Sequence, residues 1–213
     1  EEFFHRIKFP FTIGYGMTEC GPAIAFDHWQ TFRPTSCGKA VDRMEIRIDS
    51  SDPFNQVGEI LTKGMNVMDG YYNNPEASNA VLSPDGWLHT GNLGILDPDG
   101  YLYIKGRSKS LILGPSGQNI YPEEIEDLLN AQPYIAESLV IEREGKLVAL
   151  VYPDSEAMKQ HKISRDTLLK IIHETRKQIN QQIPAYSQIA RIEIHDEEFE
   201  KTPKRSIILR LQF

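Results

Sequence analysis

The chain has 213 residues, 40% hydrophobic and 25% charged, a make-up that suits a globular protein able to bury a core and excludes a disordered or collagen-like chain. With 30 acidic against 23 basic side chains the formal charge is −7, which argues against nucleic-acid partners, since that binding rests on Lys and Arg neutralising phosphates. No apolar run approaches the roughly 20 residues of a membrane span, and two cysteines without metal-ligand spacing point to a reducing, cytoplasmic setting.

At about 150 residues per domain, the length fits one large domain or two unequal ones. In chain order, residues 43–49 (RMEIRID) alternate polar and apolar with period two and predict a strand, with 57–63 as its partner. Asn73, Asn74, Pro75 and Glu76 predict the start of a short helix, and Asp97-Pro98-Asp99-Gly100 predicts a hairpin turn between 94–96 and 101–104. Past residue 107 helices and strands alternate. Pro122 followed by Glu123 and Glu124 suits a helix N-terminus, with Ile125, Leu128 and Leu129 as its apolar face. Residues 138–143 and 147–152 predict a hairpin about Glu144-Gly145-Lys146. Ser164 predicts the cap of a longer helix with a stripe of Leu168, Ile172, Thr175, Ile179 and Ile183, ended by Pro184, and 189–194 alternate as a strand.

Neither a P-loop nor a GxGxxG fingerprint is present, and HExxH is absent. Three segments combine groups that suit a phosphorylated ligand. Gly14 to Glu19 sets two glycines, which let backbone approach closely, beside an aromatic ring, a hydroxyl and a carboxylate able to hold Mg²⁺. Residues 86–94 (GWLHTGNLG) carry Asn92, whose amide can bond sugar hydroxyls. Residues 103–126 bring Arg107, Lys109 and a Gly114–Gly117 loop. Read singly, each segment is equally a turn, a hairpin loop or a linker. His89, Tyr71 and Tyr72 are expected to be structural.

Taken in order, YGMTE at 15–19, GEILTKGMNVMDGYYNNPEAS at 58–78, DGWLHTGNLG at 85–94, DGYLYIKGRSKSLIL at 99–113 and NIYPEEIE at 119–126 resemble the adenylate-forming superfamily, in particular AMP-forming acyl-CoA synthetases of the long-chain fatty type. The resemblance implies an α+β fold: residues 1–107 as the β-rich, distorted barrel-like end of a large AMP-binding domain, then a hinge, then 108–213 as a small mobile C-terminal lid. It implies a two-step reaction, in which a carboxylic acid and MgATP give an acyl-adenylate and coenzyme A then displaces AMP. Tyr15 would pack on the adenine with Gly16 as a further nucleotide-binding position, Thr18 would meet the phosphate and carboxylate region, and Glu19 would hold the Mg²⁺. Asn92 and Arg107 would hold the ribose, Lys109 would be the hinge, and the loop ending at Gly117 would line the thiol's approach.

Two positions depart from the family pattern. Asn92 stands where aspartate is usual, so weaker nucleotide binding is expected. The C-terminal catalytic lysine normally follows a glycine, whereas here KTPKRS at 201–206 offers Lys204, with Lys201 as the other candidate. The family's phosphate-gripping loop and most of its acyl pocket lie upstream of YGMTE. The chain begins at Glu1 without methionine, so the expectation is a C-terminal portion that cannot adenylate without the upstream part of the same polypeptide. An adenylation domain loading a carrier protein and a non-catalytic nucleotide-binding or acyl-binding remnant are the competing expectations.

Overall fold

The computed structural model describes residues 1–31, 33–201 and 207. It is an α+β protein whose described residues fall into two compact units, the first Glu1–Lys109, the second beginning at Ser110.

The first unit opens with a short helix, α1 (Glu2–Arg6), and three brief antiparallel strands in the order β1 (Tyr15–Gly16), β2 (Ala23–Phe26) and β3 (Lys39–Ala40). A second sheet follows, β4 (Met44–Asp49), β5 (Gly58–Gly64), β6 (Leu88–Leu96) and β7 (Leu102–Arg107), each pairing antiparallel with the next. Period-two alternation holds in β4, where Met44 and Ile48 are buried and Glu45, Arg47 and Asp49 exposed. Helix α2 (Pro75–Val81) interrupts the sheet between β5 and β6; Asn74 caps it by accepting from the Ala77 N–H at 3.0 Å, with proline in the first turn.

The turn between β6 and β7 is set by Asp97, whose Oδ1 accepts from the backbone N–H groups of Asp99 and Tyr101, both at 2.9 Å. The sheets join at their edges. Cys37 N–H donates to the Leu102 carbonyl at 2.8 Å and Leu102 N–H to that of Gly38 at 2.9 Å, so the strands wrap barrel-like around a core of Tyr15, Cys20, Ile24, Met44, Ile60 and Leu102.

The second unit begins with a two-stranded ribbon, β8 (Ile112–Leu113) and β9 (Asn119–Ile120), and helix α3 (Pro122–Asn130). Strands β10 (Ile135–Arg143) and β11 (Lys146–Pro153) form a hairpin through Glu144 and Gly145 at φ of 54° and 71°, the pairing of positive angles that matches strand twist in a two-residue turn. Helices α4 (Ser155–Gln160) and α5 (Arg165–Asn180) lead back to β12 (Ile189–Ile194), which lies parallel to β11.

Strand β11 is central and buried on both faces: Leu147, Ala149 and Val151 enter the core with Leu129, Leu168 and Ile179, while Val148 and Leu150 pack with Ile141 and Phe199. The stripe on α5 buries Leu168, Ile172, Thr175 and Ile179, at the 3.6-residue period, and Ser164 caps it by accepting from Thr167 N–H at 3.2 Å.

Three expectations are corrected. Helix α5 ends at Asn180, four residues before Pro184, because the Asn180 side chain turns back to bond Ile189 N–H at 2.8 Å and the Ile189 carbonyl at 3.0 Å; Ile183 lies beyond the helix. Tyr72 is 93% exposed rather than packed into the core, and Tyr71 is also exposed, its hydroxyl committed to a carboxylate. Residues 86–94 are mostly regular strand, β6, rather than loop.

Candidate functional site

In the first unit Tyr15 is the start of β1, and β1 closes on β2 because Gly16 has no side chain. A Cβ there would sit 2.1 Å from the Pro22 carbonyl oxygen, while Met17 N–H donates to that same oxygen at 2.8 Å. This close approach turns the Tyr15 ring into the core, where the residue is 9% exposed. Its phenol is pushed up from its ordinary range by burial and held back by hydrogen bonds with Thr90 and Asn92.

The phenol's partner comes from β6. Asn92 Nδ2 donates to the Tyr15 hydroxyl oxygen at 2.7 Å, and Thr90 Oγ1 steadies that residue by accepting from Asn92 N–H at 3.1 Å and donating to the Ile60 carbonyl at 2.7 Å. Arg107, exposed at the end of β7, pairs directly opposite Asn92 in the ladder. Ser108 continues the contact, its N–H and hydroxyl both donating to the Gly91 carbonyl at 2.9 and 3.1 Å. Lys109 is exposed at the end of the unit.

Thr18 and Glu19 lie on a single 3₁₀ turn, Thr18–Cys20, closed by Gly21 in the left-handed region. Glu19 is anchored by a segment about fifty residues further along the chain: its carbonyl accepts from Met68 N–H at 2.8 Å and its Oε1 from the Tyr71 hydroxyl at 3.0 Å. Burial raises the Tyr71 phenol, and the bond to Glu19 adds to the push. Cys20 and Cys37 are both buried free thiols; burial pushes Cys20 up to about 11. A thiol so buried is protonated and inert near neutrality.

The fold therefore brings together Tyr15, Asn92 and Arg107, with Gly16 exposed beside them, and holds Thr18 and Glu19 on the turn that follows. Gly117 lies in the second unit, in the β8–β9 turn at φ 79°, and its N–H donates to the Gly114 carbonyl at 2.9 Å. That turn borders a cleft of about 470 Å³ walled also by Gln118, Lys146, Leu147 and Tyr186. Lys204 lies outside the described residues. Lys201 is taken up by two carboxylates, Glu137 and Glu198, which raise its pKa.

Sequence reasoning missed Thr90, Tyr71 and Glu59. Glu59 holds His89 Nδ1 at 2.9 Å through one carboxylate oxygen and Gly91 N–H at 2.8 Å through the other. None of these contacts has a local signal, because the partners lie 30 to 52 residues apart.

An α+β chain that ties an aromatic, an amide and an arginine from separate motif segments beside a glycine of close approach has the build of an adenylate-forming enzyme. Residues 1–72 match the family model described as AMP-binding enzyme, and residues 109–212 match that of the AMP-binding enzyme C-terminal domain. The chain belongs to this AMP-binding, adenylate-forming superfamily.

It is 36% identical over 194 residues to 4-coumarate-CoA ligase 2 of Narcissus pseudonarcissus, covering 84% of this chain and 32% of that protein. It is also 36% identical over 151 residues to the long-chain-fatty-acid–CoA ligase ACSBG2 of Gallus gallus, covering 70% of this chain and 20% of the relative. Among solved structures, o-succinylbenzoate CoA synthetase (MenE) of Bacillus subtilis in complex with the acyl-adenylate intermediate OSB-AMP matches with a TM-score of 0.78 and 29% identity, over 97% of this chain and 41% of that one. The chain spans less than half the length of each. Among the described residues no helix is long and apolar enough to cross a membrane.

Proposed function

We propose that this chain serves in an AMP-forming acid–thiol ligase, holding the adenylate end of an acyl-AMP with Tyr15, Gly16, Asn92 and Arg107 and contributing a small C-terminal domain to acyl transfer onto coenzyme A. Residues 1–107 are then the end of the large domain and 108–213 the mobile one, with Lys109 as the hinge. The observation that carries the reading is the 2.7 Å bond from Asn92 to Tyr15 with Arg107 in register opposite, which sets two polar groups suited to vicinal hydroxyls next to a ring.

The chemistry follows from leaving groups. A carboxylate oxygen attacks the α-phosphorus of ATP, the bond to the β-phosphate breaks and pyrophosphate leaves. The thiol of coenzyme A then attacks the acyl carbon, the acyl–oxygen bond breaks, and AMP departs with that oxygen. Oxide could not leave; AMP can. The exposed backbone at Gly16 lets the nucleotide approach without a side chain between, and Thr18 offers a hydroxyl to phosphate. The lysine best placed by sequence to meet phosphate charge is Lys204, since Lys201 is already paired.

Glu19 suits Mg²⁺ as a single ligand. Tyr71 binds its Oε1, a second carboxylate oxygen can meet a cation, and no group of three or more His, Cys, Asp or Glu stands ready among the described residues. Mg²⁺ commonly binds through one or two carboxylates and fills its shell with phosphate oxygens and water, so the residues fit it, and when bound it would neutralise phosphate charge.

A fatty acid is the acid proposed, supported by the long-chain relative; the names of the others make an aromatic acid the alternative to test. Isothermal titration of AMP and of a non-hydrolysable acyl-adenylate analogue into the chain checks the reading. Saturable binding that weakens about tenfold in Asn92→Ala and in Arg107→Ala is expected, the scale of one lost hydrogen bond to a polar ligand. No binding of either ligand overturns it.

A further inference from the structure

Strands β5 and β6 pair regularly at Leu61–His89 and Thr62–Leu88, and then the register shifts between Glu59 and Leu61. Opposite the shift is Gly91, at φ 69°, in the left-handed region. A backbone turned that way swings its N–H out of the ladder, and such a donor in a half-buried place is costly unless something accepts from it. Glu59 accepts. Its Oε1 takes the Gly91 N–H at 2.8 Å and its Oε2 meets His89 Nδ1 at 2.9 Å, so one carboxylate spans the bulge from residue 89 to residue 91. Bonds to an ionised acceptor are roughly twice as strong as neutral ones. The carbonyl of Gly91 is gripped from the other strand by Ser108.

The peptides on both sides of Gly91 are thus held, from β5 and from the end of β7. The next residue is Asn92, aimed at Tyr15, and Arg107 lies opposite it. We propose that Glu59 is a positioning residue for the nucleotide site: through Gly91 it sets the angle at which Asn92 leaves the strand, and His89 fixes which way the carboxylate faces. This rests on the nucleotide reading above. Because a carboxylate only accepts, Nδ1 of His89 is the donor in this bond.

The test uses the whole chain, labelled with ¹⁵N, as wild type, Glu59→Ala and Glu59→Gln, with AMP as the probe. Three quantities are read: AMP affinity by titration, amide exchange at Gly91, and the His89 tautomer from long-range ¹H–¹⁵N spectra. Wild type should show a protected Gly91 amide and an Nδ1–H imidazole. In Glu59→Ala, Gly91 exchange should quicken and AMP affinity fall, each by about tenfold. Glu59→Gln keeps an acceptor for Gly91 but offers an NH₂ to His89. It should keep AMP affinity within about threefold while the imidazole switches to Nε2–H.

If Glu59→Ala quickens Gly91 exchange yet binds AMP as wild type does, Glu59 is only a sheet residue and the proposal is overturned. If Glu59→Ala does not fold, Glu59→Gln decides: an unswitched tautomer or an exposed Gly91 amide overturns the clamp. Wild-type protein that ignores AMP sinks the nucleotide reading itself, a result distinct from a variant that binds AMP normally.

Discussion

The side-chain amide of Asn92 donates to the phenolic oxygen of Tyr15 at 2.7 Å, joining residues 77 apart in the chain. The phenol is an acceptor in this bond, and a donor aimed at it favours the phenolate, which is why Asn92 opposes the upward push of burial on Tyr15. An aspartate at this position reverses the polarity: the phenol must donate, and a negative charge faces it. Asn92→Asp is therefore expected to move the Tyr15 pKa further up, read by NMR titration of ¹³C-labelled tyrosine. On the nucleotide reading it also tightens AMP severalfold, since a bond from a ribose hydroxyl to a charged acceptor is worth about 1.5–3 kcal/mol against about 1 for a neutral one. Unchanged or weaker AMP binding would remove Asn92 from the ribose role.

Gly16 shows how a structural requirement and a functional one coincide. The three nearest neighbours of a Cβ there are all backbone, the Pro22 carbonyl oxygen and carbon at 2.1 and 2.9 Å and Ala23 Cα at 3.3 Å, so nothing flexible can give way. Gly16→Ala should destabilise the chain by about 1–3 kcal/mol, the range for overpacking, read as a lower urea midpoint. It should also disturb the Tyr15–Asn92 bond, since Tyr15 is the neighbouring residue. A variant as stable as wild type would mean that β1 and β2 separate without cost.

Lys201 is a poor candidate for meeting a phosphate because its ammonium is already paired. It bonds Glu198 Oε1 at 2.5 Å and Glu137 of β10, and the two carboxylates raise its pKa, Glu137 most. Trace acetylation under mildly alkaline conditions, followed by mass spectrometry, should label Lys201 less than the exposed Lys170, and Glu137→Gln should raise its labelling. Labelling of Lys201 equal to that of Lys170 would mean that the pairing does not persist in solution, and would restore it beside Lys204 as a catalytic candidate.

What could be read from the sequence was what depends on near neighbours. The Asp97–Gly100 turn, the Glu144-Gly145 hairpin and the caps Asn74 and Ser164 each act within four residues, and the stripe of α5 repeats within one helix. Strands β1 and β3 are two residues long, too short for any period to show. The start of α4 is equally local: Asp154 accepts from Glu156 and Ala157 N–H at 3.1 and 3.0 Å. The site itself divides the same way. Its residue types stood out as motifs, but that Tyr71 anchors Glu19, that Asn92 bonds Tyr15, and that Glu59 spans the β6 bulge are contacts between distant segments. No window of sequence contains both partners.

Helix α3 carries a pH dependence of its own. Glu126 Oε1 accepts from Val140 N–H at 2.8 Å, on the edge of β10 that faces away from β11, while the buried Ser138 hydroxyl bonds the Glu126 carbonyl at 3.3 Å and Asn130 Oδ1 at 2.8 Å. Burial pushes the Glu126 carboxyl up to about 7; Glu123 and Asp127 add to the push and the Val140 bond resists it. An unfolded chain releases that proton near 4.5, so between about 4.5 and about 7 the folded state binds the extra proton. The contribution to stability is therefore fully present below about 4.5 and is lost as pH rises through about 7.

Glu126→Gln removes the titration but keeps an acceptor for Val140. It should be near neutral at pH ~4.5 and stabilising on the order of 1–3 kcal/mol at pH ~8, measured by urea unfolding at both values. A stabilisation that is equal at the two pH values would show that the Glu126 carboxyl titrates in its ordinary range, and one larger at the lower pH would show that folding lowers its pKa; either overturns the burial argument.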